Sequence, residues 1–234
     1  MHEVSRIPVC PDCLRRPAPF EAEYFCVSCR TPFQNEFPLD SEGRCGLCRA
    51  GLRGFDAAYS FGAYDGALRK LIHLFKYARV EPLSRPLADW MASALPLDER
   101  FDLITPVPLH WRRRLQRGFN QSERLAQRMA RRTGIPVLRA LSRVRVTEVQ
   151  AGLSNAARRR NTTGAFRPRR SARLAGKRIL LIDDVMTTGA TAAACALALK
   201  RAGAERVALL TVARVDRRLA VASGTEGLTL GETA

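Results

Sequence analysis

The sequence lacks any long apolar segment. None of its 234 residues lies in an uninterrupted run of roughly 18 or more apolar residues, which is the length that a membrane-spanning helix needs. The first ten residues contain Glu3 and Arg6 and no apolar core, so a secretory signal peptide is not predicted. Hydrophobic residues make up 46% of the chain and charged residues 26%, a balance typical of a folded globular protein. We therefore expect a cytoplasmic protein without membrane insertion.

Acidic residues are scarce in one part of the chain. Between residues 110 and 178, which we call the basic window, there are 20 basic residues and only two acidic ones, Glu123 and Glu148. The basic window has a formal charge of +18, and the whole chain has +17. The first 55 residues, in contrast, hold seven basic and seven acidic residues. Such a dense field of one sign predicts a polyanionic ligand, which is a phosphorylated metabolite, a nucleic acid or both.

Two common nucleotide-binding motifs are also absent. The chain has neither the Gly-x-x-x-x-Gly-Lys-[Ser/Thr] loop of nucleotide triphosphatases nor the Gly-x-Gly-x-x-Gly turn of dinucleotide-binding domains. None of its three histidines stands near a serine or cysteine in a way that indicates a catalytic triad. Hydrolase chemistry of that kind has no support in the sequence.

Cysteine, in contrast, is concentrated near the beginning of the chain. Six of the seven cysteines form three Cys-x-x-Cys pairs, at residues 10/13, 26/29 and 45/48. Two such pairs complete a tetrahedral zinc site, and this spacing in a reducing compartment favours a metal over disulfides or free thiols. We favour Cys26, Cys29, Cys45 and Cys48 as the ligands of a structural Zn²⁺. Cys10 and Cys13 either replace one of these pairs or belong to a second, incomplete site. We expect the seventh, Cys195, to be a small buried core residue.

The residues after the cysteine pairs alternate between strand-like and helix-like patterns. Apolar or alternating segments at 55–64, 101–105, 178–183 and 206–212 predict strands. Segments at 66–77, 119–132 and 190–202 have helical spacing. This alternation predicts an α/β fold with a doubly wound parallel sheet. We divide the chain into a zinc ribbon at 1–54, an α/β domain at 55–218 and a disordered tail at 219–234.

The most informative motif follows the apolar strand at 179–182. Two adjacent carboxylates, Asp183 and Asp184, precede a turn rich in hydroxyls with Gly189, and a helix begins at once. In an open α/β sheet, the ligand crevice lies at the carboxyl ends of the strands. Backbone N–H groups at a helix start favour phosphate, while the two acids suit a ribose diol or a metal bound to it. The motif predicts a site for ribose 5-phosphate, the alternative being an acidic cap at an ordinary turn.

This motif resembles the phosphoribosyl-pyrophosphate (PRPP) signature of type I phosphoribosyltransferases. Three further features resemble proteins of the ComF family: Pro-Val-Pro-Leu at 106–109 followed by an arginine cluster and Arg-Gly-Phe-Asn-Gln at 117–121; Gln150, Leu153, Arg158, Asn161 and Phe166; and the cysteine pairs of an N-terminal zinc ribbon. The match extends from Cys10 to about Arg214. Some members of that family have four cysteine pairs, whereas this chain has three.

The resemblance implies a type I phosphoribosyltransferase fold that binds PRPP together with Mg²⁺. It implies that the PRPP site consists of Asp183, Asp184, Val185, Met186, Thr187, Thr188, Gly189, Ala190, Thr191, Pro106, Val107 and Pro108, with the two acids as the catalytic pair. It also implies a pyrophosphate loop at 105–109 and a mobile lid around 150–166. Arg112, Arg117, Arg158 and Arg159 are the candidates for contact with the pyrophosphate, the alternative for each being a solvated surface arginine.

Three further residues have two interpretations each. Asn120 and Gln121 either shape the crevice or serve the start of the next helix, which Asn120 would cap. Lys76 either reaches the crevice or complements the negative end of its own helix.

Two functions follow from these observations. The first is a PRPP-binding protein that transfers the phosphoribosyl group and releases pyrophosphate. The second is a non-catalytic protein that binds single-stranded DNA during DNA uptake in natural competence and uses its PRPP site as a sensor. The ComF resemblance and the basic window support the second. PRPP, single-stranded DNA and the competence machinery are the expected partners. The sequence leaves open the acceptor, whether the protein is an enzyme, and the oligomeric state.

Overall fold

The computed structural model describes residues 7–33, 35–52, 54–109, 115, 118–144, 164–170 and 172–215. The predicted tail at 219–234 lies outside these residues, as do Arg112, Arg117, Arg158 and Arg159. In the part of the chain that is described, no helix is both long and apolar enough to cross a membrane.

The N-terminal part consists of short elements around the cysteines. Strands β1 (Tyr24–Phe25) and β2 (Pro32–Phe33) pair antiparallel, and they are preceded by helix α1 (Pro11–Arg15) and followed by helix α2 (Gly46–Arg49). Such short elements bury little apolar surface of their own, so their stability depends on what holds the cysteines together.

The main sheet has four parallel strands. In spatial order they are β3, β8, β7 and β4. Their bounds are β3 (Ala57–Ala63), β4 (Leu103–Pro106), β7 (Arg178–Met186) and β8 (Arg206–Arg214). The predicted parallel sheet is confirmed, and all four predicted strands belong to it. Strand β7 continues beyond the predicted end at residue 183, because β8 pairs with it as far as Met186.

Two shorter strands lie outside this sheet. Strands β5 (Leu141–Arg143) and β6 (Phe166–Pro168) pair antiparallel with each other. They flank most of the predicted lid at 150–166. Residues 150–163 of that lid lie outside the described part of the chain, and its last residue, Phe166, begins β6.

The longer helices bear out the helical periodicity of the sequence. They are α3 (Gly66–Tyr77), α4 (Ser84–Ser93), α5 (Gln121–Thr133) and α6 (Ala190–Arg201), with a 3₁₀ turn at Glu81–Leu83. The predicted helices at 66–77, 119–132 and 190–202 correspond to α3, α5 and α6, and α4 was not predicted. Helix α5 starts two residues later than predicted because the Asn120 side chain caps it, accepting a hydrogen bond from the Ser122 amide.

Both faces of the sheet are covered. On β7, Leu180 and Ile182 pack with α3, α4 and α5, whereas Ile179 and Leu181 pack with α6 and with the buried cysteines. Alternate residues of a strand point to opposite faces, so an uninterrupted apolar strand implies a sheet that is covered on both sides. The predicted doubly wound arrangement is therefore confirmed.

Candidate functional site

The acid pair, Asp183 and Asp184, lies at the carboxyl end of β7 and opens into a cavity of about 220 Å³. The cavity is bounded by the end of β7, the residues after β4 and the first turns of α5 and α6. Its walls are formed by Tyr64, Lys76, Val107, Pro108, Leu109, Asn120, Gln121, Ser122, Arg143, Asp183, Asp184, Val185, Met186, Thr187, Thr188, Gly189, Ala190, Thr191, Ala192, Leu209 and Thr211.

The two acids have different partners. Asp183 accepts hydrogen bonds from the Ser122 hydroxyl, at 2.8 Å, and from the Asp184 amide, at 2.9 Å. Asp184 forms an ion pair with Lys76, with 2.8 Å between Nζ and Oδ1, and both side chains are only 11–12% exposed. One acid is therefore held by neutral donors and the other by a buried cation.

This difference appears in the protonation of the site. Burial raises the pKa of Asp183 to about 7, and the charge of Asp184 acts in the same direction, while the hydrogen bond from Ser122 opposes it. Burial alone would lower the pKa of Lys76, but the charge of Asp184 and its hydrogen bond outweigh burial and raise that pKa. The Lys76 ammonium is therefore charged at neutral pH.

The loop at residues 187–191, which we call the threonine loop, connects β7 to α6. Gly189 has a φ of 78° and stands immediately before the helix. A Cβ atom at Gly189 would lie 2.8 Å from Met186 Cε and 3.2 Å from Leu52 Cδ2. Glycine is therefore required at position 189 for two reasons: the backbone is left-handed there, and there is no space for a Cβ atom. The loop brings hydroxyls and the positive end of α6 to the same cavity as the acids.

On the opposite wall, the residues after β4 are fixed by the main chain and by one amide side chain. The Val107 amide donates to Ile182 O at 2.9 Å. Asn120 donates from Nδ2 to Val107 O at 3.1 Å while its Oδ1 caps α5. Both interpretations of Asn120 therefore hold, because it caps the helix and also shapes the crevice. Val107 and Pro108 line the cavity, whereas Pro106 is buried at the end of β4 and is not part of the lining.

Most of the predicted residues come together at this cavity, and several others join them. Lys76, Asn120 and Gln121, which had two interpretations each, line it. Six lining residues were missed by sequence reasoning: Tyr64, Ser122, Arg143, Ala192, Leu209 and Thr211. Tyr64 directly follows Ala63, the end of a parallel strand, and this position is a signal that could have identified it. Arg143 comes from β5, outside the main sheet, and no local pattern indicates its role.

The structure also assembles four of the cysteines. The Sγ atoms of Cys26, Cys29, Cys45 and Cys48 all lie within 4.8 Å of one another, and all four residues are buried. We call these four the cysteine cluster. Cys10 is exposed and its sulfur accepts a hydrogen bond from the Cys13 amide, and neither residue joins the cluster. Cys195 is fully buried, as expected for a core residue.

The spacing of the sulfurs fits a tetrahedral metal site. Cys26 and Cys48 are 3.7 Å apart, and Cys29 and Cys45 are 3.5 Å apart. Four sulfurs each about 2.3 Å from a zinc ion are separated by about 3.8 Å. The donor set therefore matches a soft divalent cation such as Zn²⁺.

Comparison with known proteins agrees with this architecture. The model of the phosphoribosyl transferase domain matches residues 119–224. A DNA utilization protein YhgH of Salmonella typhi is 34% identical in an alignment of 180 residues that covers 73% of this chain and 77% of that protein. Competence protein F of Haemophilus influenzae is 33% identical in an alignment of 178 residues that covers 73% of this chain and 78% of that protein.

A solved structure shows a more distant likeness. The glutamine PRPP amidotransferase of B. subtilis superposes with a TM-score of 0.40 and 24% identity, over 56% of this chain and 26% of that one. The fold assignment rests on the domain match and on the parallel sheet instead. On the strength of its relatives and of the matched domain, the chain belongs to the ComF family of competence-associated proteins and contains a phosphoribosyltransferase domain of type I fold.

Proposed function

We propose that the cavity at the end of β7 binds PRPP together with Mg²⁺. One observation carries this proposal: the acid pair and the start of α6 face the same cavity, with Gly189 between them. A sugar phosphate needs acceptors for its hydroxyls and donors for its phosphate within a few ångströms. The end of β7 and the start of α6 offer these acceptors and donors together in one cavity.

Each part of the ligand has a matching part of the cavity. The ribose hydroxyls donate to the carboxylates of Asp183 and Asp184. The 5-phosphate accepts from the hydroxyls and amides of the threonine loop and gains from the helix dipole. The pyrophosphate then points towards Val107 and Pro108, on the opposite wall.

Lys76 and Arg143 line the cavity together with Asp183 and Asp184, and Lys76 already forms an ion pair with Asp184. The described lining therefore offers little free positive charge to a polyanion. Mg²⁺ that arrives with PRPP would supply part of the missing positive charge. The remaining charge would come from the basic window, where Arg112, Arg117, Arg158 and Arg159 are the predicted contacts.

Phosphoribosyl transfer is the reaction that such a site supports. A nucleophile forms a bond to the anomeric carbon, and the pyrophosphate leaves with the electrons of the broken carbon–oxygen bond. The protein's part is to position the ribose and to stabilise the departing charge. A screen of nucleobases and amines for PRPP-dependent release of pyrophosphate tests this reaction. If no acceptor promotes release while PRPP binds, the protein is a PRPP sensor and not a transferase.

Binding itself is tested by calorimetry with PRPP and Mg²⁺. We expect the double variant Asp183→Ala/Asp184→Ala to lose binding, and the matched control Asp89→Ala to keep it. Asp89 lies on α4 and forms an exposed ion pair with Arg132, away from the cavity. Full PRPP affinity in the double variant would overturn the site assignment.

We further propose that the cysteine cluster holds a structural Zn²⁺, and that the protein works in the cytoplasm, where its thiols stay reduced. Four cysteines leave no open coordination position, so the ion has no catalytic role. Metal analysis should find about one zinc per chain, and the variant Cys10→Ser/Cys13→Ser should retain it. Two zinc ions per chain would show that the first pair of cysteines also binds metal.

A second candidate function is binding of single-stranded DNA, which a row of exposed side chains on α3 favours. Arg69, His73 and Tyr77 are spaced four residues apart, the rings of His73 and Tyr77 are 5.3 Å apart, and Tyr77 is 63% exposed. His73 also forms a hydrogen bond with Tyr64, which lines the cavity. Exposed aromatic faces next to an arginine suit the stacking of unpaired bases. The names of the relatives, which refer to DNA utilization and competence, agree with this function.

Fluorescence anisotropy with a labelled single-stranded oligonucleotide tests this function. We expect the affinity to fall as salt rises, and Tyr77→Ala to weaken binding about 5-fold or more. The control Phe37→Ala removes another exposed aromatic ring, 86% exposed, that does not belong to the row. Negligible binding at low salt would remove the physical basis of this function.

A further inference from the structure

A buried arginine connects the two sites described above. Arg214, the last residue of β8, is only 1% exposed, and it forms no ion pair with any carboxylate in the described part of the chain. A buried guanidinium without a counter-charge is costly, so a negative charge is expected close to it.

The guanidinium instead points to the cysteine cluster. Arg214 donates to Cys29 O at 2.6 Å and to Thr31 Oγ1 at 2.5 Å. Thr31 Oγ1 in turn lies 2.8 Å from Cys29 Sγ. Because the threonine oxygen accepts from arginine, its own hydrogen is free to donate to the sulfur, which fits a thiolate at Cys29. A divalent ion with four thiolates carries two negative charges, and Arg214 offsets one of them.

The other end of this connection is the threonine loop. Arg214 pairs in register with Met186, and the Val215 amide donates to Met186 O at 3.0 Å. Met186 Cε lies 2.8 Å from the position that a Cβ of Gly189 would occupy, so it packs directly against the loop. The backbone of Arg214 therefore fixes the strand end from which the loop starts.

A second contact joins the same two regions. Leu52 follows the last cysteine of the cluster by four residues, and its amide donates to Leu47 O in α2. Its two Cδ atoms lie 3.2 and 3.3 Å from the Cβ position of Gly189. Because Gly189 has no side chain, Leu52 fits directly against it. A displacement of the residues around the cysteine cluster would therefore move Leu52 and change its contact with the threonine loop.

We propose that Arg214 is a positioning residue that balances the charge of the cysteine-bound metal and couples the metal centre to the threonine loop. The metal then sets the geometry of the loop, and its loss weakens the binding of a sugar phosphate there. The second half of this proposal rests on the proposed function, because it needs PRPP as the ligand of the loop.

The test compares the full-length zinc-loaded protein with Arg214→Met, which removes the charge and keeps most of the side-chain length. The matched control is Arg206→Met, on the same strand, because Arg206 pairs with Glu99 and not with the cluster. The first measurement is the rate at which Zn²⁺ passes to an excess of a coloured chelator. We expect this rate to increase about 10-fold to 100-fold in Arg214→Met and to stay unchanged in Arg206→Met. Release at the wild-type rate from Arg214→Met would overturn the role of Arg214.

The second measurement is the calorimetric affinity for PRPP with Mg²⁺, which we expect Arg214→Met to lower about 5-fold. Faster zinc release with unchanged PRPP affinity would overturn the coupling. Failure of the wild-type protein to bind PRPP would overturn the proposed function, and zinc release would still decide the role of Arg214. Where Arg214→Met does not fold, Thr31→Val replaces it, since that substitution removes the bridging hydroxyl and keeps the side-chain shape. Zinc release from folded Thr31→Val at the wild-type rate would equally overturn the proposal.

Discussion

The cysteine cluster and the acid pair are both groups of potential anions held inside the protein, but they are built in opposite ways. The four sulfurs face one another, and the buried Arg214 closes the cluster from one side. The acids face a cavity, and within the described residues Asp184 forms an ion pair, with Lys76, whereas Asp183 forms none. Four sulfurs that face one another can enclose a metal ion and so stabilise the fold. A carboxylate that accepts hydrogen bonds only from neutral groups and lies beside a cavity can still bind a ligand.

Disrupting the cysteine cluster should cause the largest loss of stability. The variant Cys26→Ser/Cys48→Ser removes two of the four clustered sulfurs. We expect the free energy of unfolding to fall by several kcal/mol, because a structural zinc contributes on the order of 10 kcal/mol to small zinc domains. Urea denaturation followed by circular dichroism measures the change. The control Cys10→Ser/Cys13→Ser should stay within about 0.5 kcal/mol of the wild type. Equal losses in both variants would contradict the separation of the first cysteine pair from the cluster.

Removing Lys76, the cation paired with Asp184 in the cavity, should cause the next largest loss of stability. Lys76→Met leaves the carboxylate of Asp184 buried without its partner, which should cost about 3 kcal/mol or more. Thermal unfolding measures this loss. Lys70→Met, at an exposed position of the same helix, is the control and should change stability by less than about 0.5 kcal/mol. A similarly small effect of both substitutions would show that Asp184 does not depend on Lys76.

Filling the space above the threonine loop should have a smaller effect on stability. Gly189→Ala adds backbone strain and a clash with Met186, so we expect a loss of about 1–3 kcal/mol and weaker PRPP binding. Gly176→Ala is the matched control, because Gly176 also has a positive φ, 69°, and a Cβ there would meet nothing within 4 Å. The difference between the two variants isolates the clash. No difference in stability or in PRPP affinity would contradict the tight packing of the loop.

The pH dependence of stability distinguishes the two acids. The pKa of Asp183 is about 7 in the folded protein and near its ordinary value of 3.8 in the unfolded chain. Between these values the folded state binds more protons, so this group makes stability decrease as the pH rises from about 4 to about 7. Asp183→Asn should remove that contribution, and Asp89→Asn should not. Denaturant titrations across this range measure it, and parallel curves for the wild type and Asp183→Asn would contradict the raised pKa.

Several features of the fold were predictable because their signals are local. The apolar segment at 178–183 implied a buried parallel strand, and the spacing of apolar residues at 66–77 defined α3 to the residue. Helix α4 was missed, and its start, Ser84-Arg85-Pro86, lacks a capping side chain. The 3₁₀ turn at Glu81–Leu83 leads directly into α4, so the helix starts without a capping side chain.

The site was only partly predictable for a related reason. Asp183 to Thr191 are consecutive residues, so they could be identified as one motif from the sequence. Tyr64, Ser122 and Arg143 reach the same cavity from three other elements, and only the packing of those elements brings them there.

The sequence by itself determined the cysteine pairs, the four strands of the main sheet with helices α3, α5 and α6, and the acids followed by a glycine turn, because each depends on residues a few positions apart. The tertiary structure alone decided which two cysteine pairs meet, that Lys76 pairs with Asp184, and that Arg214 lies between the cluster and the loop. These contacts join residues up to 185 positions apart in the chain. Such contacts form only when separate elements pack against a common sheet, so no local pattern encodes them.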